Sequence, residues 1–503
     1  MRINAFEAAK ASGGTLISGD GNTVLSSIAT DSNAIGTECI FVPVIGARVD
    51  GHRFIAKAFE NGAKAAFTSE ELSEEVFAAA GGRPLIRVDD TVKALQRMGS
   101  YYRDNYVHIP YIGVTGSVGK TTTREMIVCA LNASFETYGT KGNANSQIGV
   151  PITVCQTTET AKAGVIEMGI SEPGEMTKIS EVVKCDAAVV TMIGVSHISN
   201  LGSRENIMKE KLHIADFMKE NGCLLLNGND ELLRHVTHES LKAMGLSLRK
   251  DIRIYFYGTE ENAYFRALNI EHDGTAPSEY DFYTGNALAA HVRLSVPGDH
   301  MLMDSLAAMA SAVVLGADPE MAARALFTFK SLEGRGAETV RDGIRIINDA
   351  YNASPQSMEA GLKAFGALKP EPSGRRIAVI ADMLELGDLA ESLHSDIGRS
   401  IIREIRGIDE VLMLGGLSRH IYAAMIDEAE AVNGKVNAAA SGDTALLELP
   451  ESSKIRAVMF KDAESLLKYL KAEVRKGDAV FFKGSNSMGL WKLAKEMTGE
   501  ESD

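Results

Sequence analysis

The chain has 503 residues, which exceeds what a single hydrophobic core supports and predicts roughly three domains. A formal net charge of −15 argues against a nucleic-acid partner, and widely spaced cysteines without a CxxC pair argue against a zinc site or a disulfide framework. Because the N-terminus lacks a signal-like apolar run and no segment has about 18 uninterrupted apolar residues, we predict a cytoplasmic protein without membrane insertion.

Three blocks of sequence are predicted to form three domains. The first, residues 1–107, contains an apolar run at 39–45 and a helical pattern at 54–61. The second, residues 108–333, alternates apolar runs with helical stretches, which predicts a doubly wound, mostly parallel α/β sheet. The third, residues 334–503, repeats this alternation and predicts a Rossmann-like sheet. The predicted fold class is therefore α/β with three domains.

A glycine-rich loop opens the second block and predicts a phosphate site. From Tyr111 the sequence reads YIGVTGSVGKTTT, a pattern of strand, loop and amphipathic helix. In such an anion cradle, Lys120 would reach the β- and γ-phosphates and Thr121 would bind Mg²⁺. Val114 stands where the general template has its first glycine, so the match is TGxxGKT. The residues predicted to contact a nucleotide here are Thr115, Gly116, Ser117, Gly119, Lys120, Thr121 and Thr122.

Polar residues follow two further strands of this block, at the edge where open parallel sheets bind ligands. Glu167 follows one apolar run, and His197 follows the next. Taken alone, Glu167 is equally consistent with a helix-capping acid, and His197 with a hydrogen-bonded loop histidine. After a phosphate loop, however, Thr121, Glu167, His197 and a carbamylated Lys211 would form an oxygen-rich set suited to Mg²⁺.

Lys211 lies in a run, residues 203–219, whose apolar positions predict an amphipathic helix. At about 100° per residue it falls within the apolar arc, whereas Glu210, His213 and Asp216 fall outside it. A lysine at such a position must be paired, extend its head to solvent or lose its charge. A neutral lysine amine can react with carbon dioxide to give a carbamate, which is an anionic metal ligand.

The remaining pattern completes the second and third blocks. Residues 251–296 predict an irregular, mainly antiparallel insertion, followed by a helix near 304–315. In the third block, the apolar runs at 345–347, 377–381, 411–414 and 479–482 predict strands.

These motifs and their order resemble the Mur ligase family over essentially the whole chain. That family comprises cytoplasmic ATP-dependent enzymes that form the amide bonds of the bacterial cell-wall precursor. The strings Asp-Ala-Tyr-Asn at 349–352 and Met-Leu-Glu-Leu-Gly at 383–387 are most similar to the member that adds D-alanyl-D-alanine to UDP-MurNAc-tripeptide. The resemblance implies ATP and two Mg²⁺ ions as cofactors. It also implies UDP-linked muramoyl peptide and D-Ala-D-Ala as substrates, and a monomeric enzyme.

The resemblance also implies roles for individual residues. Lys120, Lys211, His197 and Arg335 would be catalytic, with Lys211 carbamylated and helping to bind the second Mg²⁺. Further nucleotide contacts would be Asn143, Asp304, Arg335, Asp349, Tyr351 and Asn352. The UDP-substrate domain would use Thr30, Asp31, Ser32, Gly46, Asp50 and His52. Other substrate contacts would be Asn145, Ser146, Glu385, His394, Lys483 and Ser485.

Four positions, Asn33, Met301, Asp304 and Asn486, depart from the family pattern. Asn33 and Asn486 stand where the family usually has arginine, which changes how an anionic substrate would be held. The family's His-Asn-x-x-Asn string is His300-Met-Leu-Met-Asp304 here, and an aspartate lacks the amide donor of asparagine.

The implied reaction has two steps. A substrate carboxylate attacks the γ-phosphate of ATP, giving an acyl phosphate and ADP, and the amine of the dipeptide then displaces phosphate. Positioning and charge neutralisation dominate such phosphoryl transfer. Three alternatives stay open: a paralogue that joins a different amine to a different carboxylate, a P-loop kinase or NTPase without ligation, and a nucleotide-sensing binding protein.

Overall fold

The computed structural model describes residues 1–46, 48–246, 248–271, 277–369, 371–372, 374–433, 437–441, 444–448 and 455–499. Four β-sheets organise these residues. Two lie in the first block, one of nine strands lies in the second, and one of eight strands lies in the third. The predicted α/β class, with a mostly parallel central sheet, is confirmed. In the described part of the chain, no helix has both the length and the apolar character needed to cross a bilayer.

The first block contains two small sheets. Strands β1 and β3 pair antiparallel, and a five-stranded sheet has the order β2-β7-β6-β5-β4. Its strands run parallel except at β2. The strands are β1 (Ile3–Asn4), β2 (Thr15–Ser18), β3 (Val24–Leu25), β4 (Ser27–Ala29), β5 (Cys39–Phe41), β6 (Ala65–Thr68) and β7 (Leu85–Arg87). The helices are α1 (Ala5–Ser12), α2 (Ile55–Glu60), α3 (Glu74–Ala80) and α4 (Thr91–Asn105).

The nine-stranded sheet carries the phosphate loop. Its order is β16-β15-β14-β13-β12-β11-β8-β10-β9. Its strands are β8 (Tyr111–Thr115), β9 (Thr137–Gly139), β10 (Ala163–Glu167), β11 (Ala187–Val190), β12 (Cys223–Asn227), β13 (Arg253–Gly258), β14 (Phe265–Glu271), β15 (Glu279–Thr284) and β16 (Ala287–Arg293). Its helices are α5 (Lys120–Asn132), α6 (Gly149–Cys155), α7 (Glu175–Val183), α8 (Ile198–Leu201), α9 (Arg204–Leu212), α10 (His238–Ala243), α11 (Asp299–Val314) and α12 (Pro319–Leu326).

Strand β8 is the point at which the order of this sheet reverses. The chain leaves β8 to build β9 and β10 on one side, and then builds β11 and β12 on the other. A crevice therefore opens beyond its carboxyl end, and open α/β sheets bind ligands at such a crevice. The phosphate loop follows β8 directly.

Two of the predicted elements in this block are wrong in part. Residues 251–296 were expected to be antiparallel; β14, β15 and β16 do pair antiparallel, but β13 runs parallel to both β12 and β14. The crossover through α10 returns the chain in the same direction, which a parallel pair requires. The helix predicted at 203–219 ends at Leu212, and a 3₁₀ turn over His213–Ala215 follows it.

The third block forms an eight-stranded sheet in the order β17-β18-β24-β19-β20-β23-β22-β21. Its strands are β17 (Ala337–Arg341), β18 (Ile344–Asn348), β19 (Arg376–Ala381), β20 (Glu410–Leu414), β21 (Asn437–Ser441), β22 (Thr444–Glu448), β23 (Arg456–Phe460) and β24 (Ala479–Lys483). Its helices are α13 (Pro355–Ala367), α14 (Ala390–Arg403), α15 (Ser418–Asn433), α16 (Ala463–Glu473) and α17 (Leu490–Thr498). The inner strands are parallel, and antiparallel strands close both edges.

Candidate active site

The phosphate loop joins the buried strand β8 to the helix α5. Gly116 and Gly119 both have positive φ, at 152° and 87°. A Cβ on Gly116 would lie 1.8 Å from Thr191 Oγ1, and a Cβ on Gly119 would lie 2.9 Å from Asp304 Oδ1. Only glycine therefore fits at both positions. The loop can form a backbone cradle because these glycines admit the close approach of neighbouring side chains.

Lys120 opens helix α5 and folds back over the loop. Its Nζ donates to the carbonyl oxygens of Gly116 at 2.8 Å and Ser117 at 3.3 Å. Burial lowers the pKa of Lys120, the nearby Glu167 carboxylate raises it, and the Arg335 guanidinium lowers it. Lys120 is therefore electrostatically coupled to a residue of the same domain and to one from the third block. The predicted contacts Thr121 and Thr122 are buried in the first turn of α5.

Lys211 is buried, as its place in the apolar arc predicted, with 2% of its surface exposed. Its side chain makes no hydrogen bond or ion pair with any residue that the structure describes. Burial lowers its pKa well below the ordinary value, Lys120 lowers it further, and Glu210 raises it. Burial of a lysine and a lowered pKa favour the neutral form of its amine, which is nucleophilic. The structure thus places such an amine within electrostatic reach of the phosphate-loop lysine.

Glu210 was expected to face away from the buried side of its helix, and this is wrong. Its side chain is buried, and its carboxylate accepts from the backbone N–H groups of Gly174 at 2.9 Å and Met176 at 3.0 Å. These donors belong to the first turn of α7, whose backbone N–H groups otherwise lack partners. An acid at the amino end of a helix is favourable, and this contact accounts for the buried charge.

His197 pairs with a residue of the third block. Its Nδ1 lies 2.9 Å from Glu385 Oε2. Burial lowers the pKa of His197, the Glu385 carboxylate raises it, and Lys120 and Lys211 lower it. The Glu385 carboxylate thus lies beside Nδ1 and leaves Nε2 as the ring nitrogen that could bind a metal. A carboxylate near the second nitrogen is common for metal-binding histidines.

Glu167 is the last residue of β10, and its side chain is held by a partner that the sequence did not reveal. Arg124 Nη1 lies 3.0 Å from Glu167 Oε2, and both side chains are buried. Asn145 Nδ2 donates to Glu167 Oε1 at 2.7 Å. The same Arg124 nitrogen donates to the carbonyl of Gly142 at 2.9 Å. The sequence feature that could have indicated this partner is an arginine directly after the GKTTT string, on a helix that packs against the sheet.

Asp304, which was predicted to contact the nucleotide, lies against the phosphate loop. Its Oδ1 accepts from Thr123 Oγ1 at 2.6 Å. Burial raises its pKa to about 7, although the Thr123 hydroxyl and the Arg335 charge both lower it. An aspartate at this position therefore titrates near neutral pH, which an asparagine would not do.

Residues 334–352 bring the third block to the loop. The guanidinium of Arg335 stacks over the Tyr351 ring, with 4.3 Å from Cζ to the ring centroid. Lys483 Nζ lies 2.6 Å from Asp349 Oδ2 and donates to the carbonyl of Asn352 at 3.3 Å. Lys483 was predicted to bind substrate. In the structure its amine contacts Asp349 and Asn352 of this segment. Arg335 lies near enough to Lys120 and Asp304 for its charge to lower the pKa of both groups.

Two predicted substrate contacts support the loop that carries Glu385 instead of facing a ligand. His394 is fully buried; its Nε2 accepts from the N–H of Met383 at 3.0 Å, and its Nδ1 lies 2.6 Å from the carbonyl oxygen of Ala390. Ser485 Oγ accepts from the N–H of Leu384 at 2.9 Å. Both ring nitrogens are thus engaged in holding this loop, and the contact of His394 with a dipeptide stays a prediction.

Comparisons with known proteins agree with this arrangement. Residues 24–103 match the Mur ligase family catalytic domain, residues 114–312 the Mur ligase middle domain and residues 334–486 the Mur ligase, glutamate ligase domain. The UDP-N-acetylmuramoyl-tripeptide--D-alanyl-D-alanine ligase of Bacillus subtilis is 33% identical over 478 residues, covering 94% of this chain and 93% of the relative. The chain belongs to the Mur ligase family.

One further relative and two solved structures are also similar to this chain over most of its length. The ligase of that name from Escherichia coli is 30% identical over 80% of this chain and 83% of its own. The crystal structure of MurF from Acinetobacter baumannii superposes with a TM-score of 0.81 at 24% identity, covering 99% of both chains. MurF ligase from Thermotoga maritima in complex with ADP gives a TM-score of 0.72 at 24% identity, covering 94% of this chain and 96% of that one. These structures show that the fold is shared.

The residues that the Mur ligase resemblance assigned to the UDP-substrate domain lie apart from the phosphate loop. Thr30, Asp31 and Ser32 follow β4, and Gly46 and Asp50 follow β5, so they share one edge of the small sheet. Among the described residues, none of them hydrogen-bonds to the central domain. The structure leaves their role as a prediction.

His52 supports this edge through two contacts. Its Nδ1 lies 2.7 Å from Asp50 Oδ1, and its Nε2 accepts from the N–H of Ser69 at 3.1 Å. Because both ring nitrogens are engaged, His52 holds the loop of Asp50. A direct contact of His52 with a substrate is not evident from this geometry.

Several departures and loop residues of this Mur ligase form local contacts. Asn33 Nδ2 donates to Asp31 Oδ1 at 3.1 Å, and Asn486 Nδ2 donates to the carbonyl of Tyr351 at 3.2 Å. Ser146 Oγ accepts from the N–H of Gly149 at 3.2 Å, at the start of α6, and Asn143 lies on the exposed loop before it. Asn33 thus acts within its own loop, whereas Asn486 joins its loop to the segment that carries Tyr351.

Proposed function

We propose that this chain is an ATP-dependent ligase that adds D-alanyl-D-alanine to UDP-N-acetylmuramoyl-tripeptide during synthesis of the peptidoglycan precursor. The name shared by relatives that match most of the chain supports the substrates. The observation in the structure that carries the proposal is the buried amine of Lys211, without a polar partner, beside Lys120. A kinase or NTPase needs a phosphate loop, but has no evident use for such an amine.

The residues of the loop would position and neutralise the transferred phosphoryl group. ATP would lie along the cradle of residues 116–119, and Lys120 would leave the loop carbonyls to meet the β- and γ-phosphates. The substrate carboxylate attacks the γ-phosphorus and ADP leaves, giving an acyl phosphate. The free amine of the dipeptide then attacks the acyl carbon, and inorganic phosphate leaves. Arg335, from the third block, would stabilise charge that develops on the phosphoryl oxygens.

The donor groups present fit Mg²⁺. Glu167 offers carboxylate lone pairs beyond its contacts with Arg124 and Asn145, His197 offers Nε2, and Thr121 offers a hydroxyl. The amine of Lys211 would add carbon dioxide and release a proton, which yields a carbamate oxygen as a further ligand. When bound, two Mg²⁺ ions would supply charge neutralisation at the phosphates. The carbamate and the number of ions are part of the proposal.

The test measures phosphate release from ATP with UDP-MurNAc-tripeptide, with and without D-Ala-D-Ala. We expect release and a pentapeptide product that depend on the dipeptide. Phosphate release that does not depend on the dipeptide would favour an NTPase or kinase. Binding of ATP without phosphate release would favour a nucleotide sensor. Release with a different amine only would favour a paralogue. A cytoplasmic location and a monomeric state remain predictions of the same proposal.

A further inference from the structure

Gln356 brings a carboxamide from the third block to the phosphate loop. It lies in the first turn of α13, directly after the segment that carries Asp349 and Tyr351. A capping box fixes this turn, because the side chains of Ser354 and Ser357 each accept from the other residue's backbone N–H. The position of Gln356 is therefore set by a rigid helix start.

The carboxamide meets the loop over the backbone of Gly194. A Cβ on Gly194 would lie 3.0 Å from Gln356 Oε1 and 3.3 Å from Ser117 Cβ. Ser117 belongs to the phosphate loop, and Gly194 follows β11. A Cβ at position 194 would therefore crowd both side chains. Gln356 and Ser117 thus face the same small space from different domains.

Both side chains carry a buried polar atom without a partner. Ser117 Oγ and Gln356 Oε1 are buried, and neither has a hydrogen bond among the described residues. Buried polar atoms in native proteins almost always have partners, and exceptions often mark a place where a ligand supplies one. The Ser117 side chain is more than nine-tenths buried. Two such atoms beside an anion cradle indicate a shared ligand group.

The shared ligand group is expected to be anionic, because the neighbouring loop forms an anion cradle. An acceptor oxygen facing an anion would be unfavourable, but the two ends of a glutamine carboxamide are interchangeable by rotation. No described contact of Nε2 holds Gln356 in its present orientation. Rotation directs an N–H to the place of Oε1 and converts the contact to a donor.

We propose that Gln356 donates its carboxamide N–H to an oxygen of the terminal phosphate of ATP, beside the hydroxyl of Ser117. The γ-phosphate is the group transferred to a substrate held between the domains, so it faces the side from which Gln356 enters. This contact would link the γ-phosphate to the third block. ATP would therefore favour closure of the domains more than ADP, which lacks that phosphate. This inference rests on the proposed function, since it names a contact for the same nucleotide.

The experiment compares the binding of two nucleotides. The affinities of ADP and of a non-hydrolysable ATP analogue, each with Mg²⁺, are measured by calorimetry for the full chain, for Gln356→Met and for Gln356→Glu. The matched control is Glu359→Gln, one turn later on α13, where the side chain pairs with Lys363 near the surface. Ligation by the unmodified protein is measured alongside.

We expect Gln356→Met to weaken the analogue about tenfold, the usual effect of losing a hydrogen bond to a charged group, and to change ADP affinity by less than about twofold. Gln356→Glu should weaken the analogue further, because it places an anion beside a phosphate. Equal effects on both nucleotides, or no effect on the analogue, would overturn the role of Gln356. If the unmodified protein binds both nucleotides but forms no pentapeptide, the proposed ligase activity fails and the binding result still decides Gln356.

Discussion

Nδ1 of His197 in the central domain lies 2.9 Å from Oε2 of Glu385 in the third domain. Both residues have left-handed backbone conformations, with φ of 60° and 65°. Such conformations cost energy for residues other than glycine and persist where the surrounding structure imposes them. His394 and Ser485 impose the one at Glu385 by holding the preceding backbone. The contact joins two domains at a residue proposed to bind metal.

Replacing Glu385 tests whether this contact orients His197. Glu385→Ala should raise the Mg²⁺ concentration needed for half-maximal activity about tenfold, since partners of metal-binding histidines typically contribute that much. Glu385→Gln should retain most of the affinity, because its amide oxygen can take the place of the carboxylate oxygen beside Nδ1. The measurement is a Mg²⁺ titration of phosphate release. Glu391→Ala, an exposed change nearby, is the control, and an unchanged titration for Glu385→Ala would show that the contact only joins the domains.

Lys211→Ala should reduce turnover by at least about a hundredfold, because an electrostatic stabiliser of the phosphoryl group is lost. With ¹³C-bicarbonate, the unmodified protein should show a carbamate carbon signal that the variant lacks. The carbamate needs the neutral amine, so it should fade as the pH drops through the lowered pKa of Lys211, and bicarbonate should oppose this loss. Lys209→Ala, an exposed change in the same helix, is the control. Near-native turnover of Lys211→Ala would exclude the carbamate role.

Asp304 should make stability depend on pH near neutrality. Its pKa is raised from 3.8 to about 7, so the folded state retains a proton that the unfolded chain loses. This contribution is fully present below about pH 4 and is lost as the pH rises to about 7. Asp304→Asn should therefore raise the free energy of unfolding of the central domain at pH 8 by up to about 4 kcal/mol, and have little effect at pH 4. Urea unfolding at both pH values checks this, and an equal effect at both would contradict it.

Arg124→Met should destabilise the central domain by about 3–5 kcal/mol, because it leaves the Glu167 charge buried without its partner. The pair of Arg97 and Asp89 provides the control, since both side chains are about half exposed. Arg97→Met should cost at most about 1 kcal/mol. Denaturant unfolding measures both variants. Similar costs for the two would indicate that Glu167 is stabilised by Asn145 alone.

The sequence alone determined the elements whose cause is local. The glycines and Lys120 of the phosphate loop, the alternation of strands and helices, and the burial of Lys211 all follow from spacing along a few residues. The Mur ligase family follows from strings of the same kind. These features were readable because each depends on backbone conformation or helical periodicity within one element.

The tertiary structure alone decided the partners of the charged residues. Arg124 and Glu167 lie 43 positions apart, and the contacts of His197 with Glu385 and of Lys483 with Asp349 join segments still further apart in the chain. The burial of Glu210, the internal role of His394 and the approach of Gln356 to Ser117 likewise depend on which helix ends meet after packing. A spacing pattern specifies the face on which a side chain lies. The group that satisfies its charge is set by how separate elements come together in space.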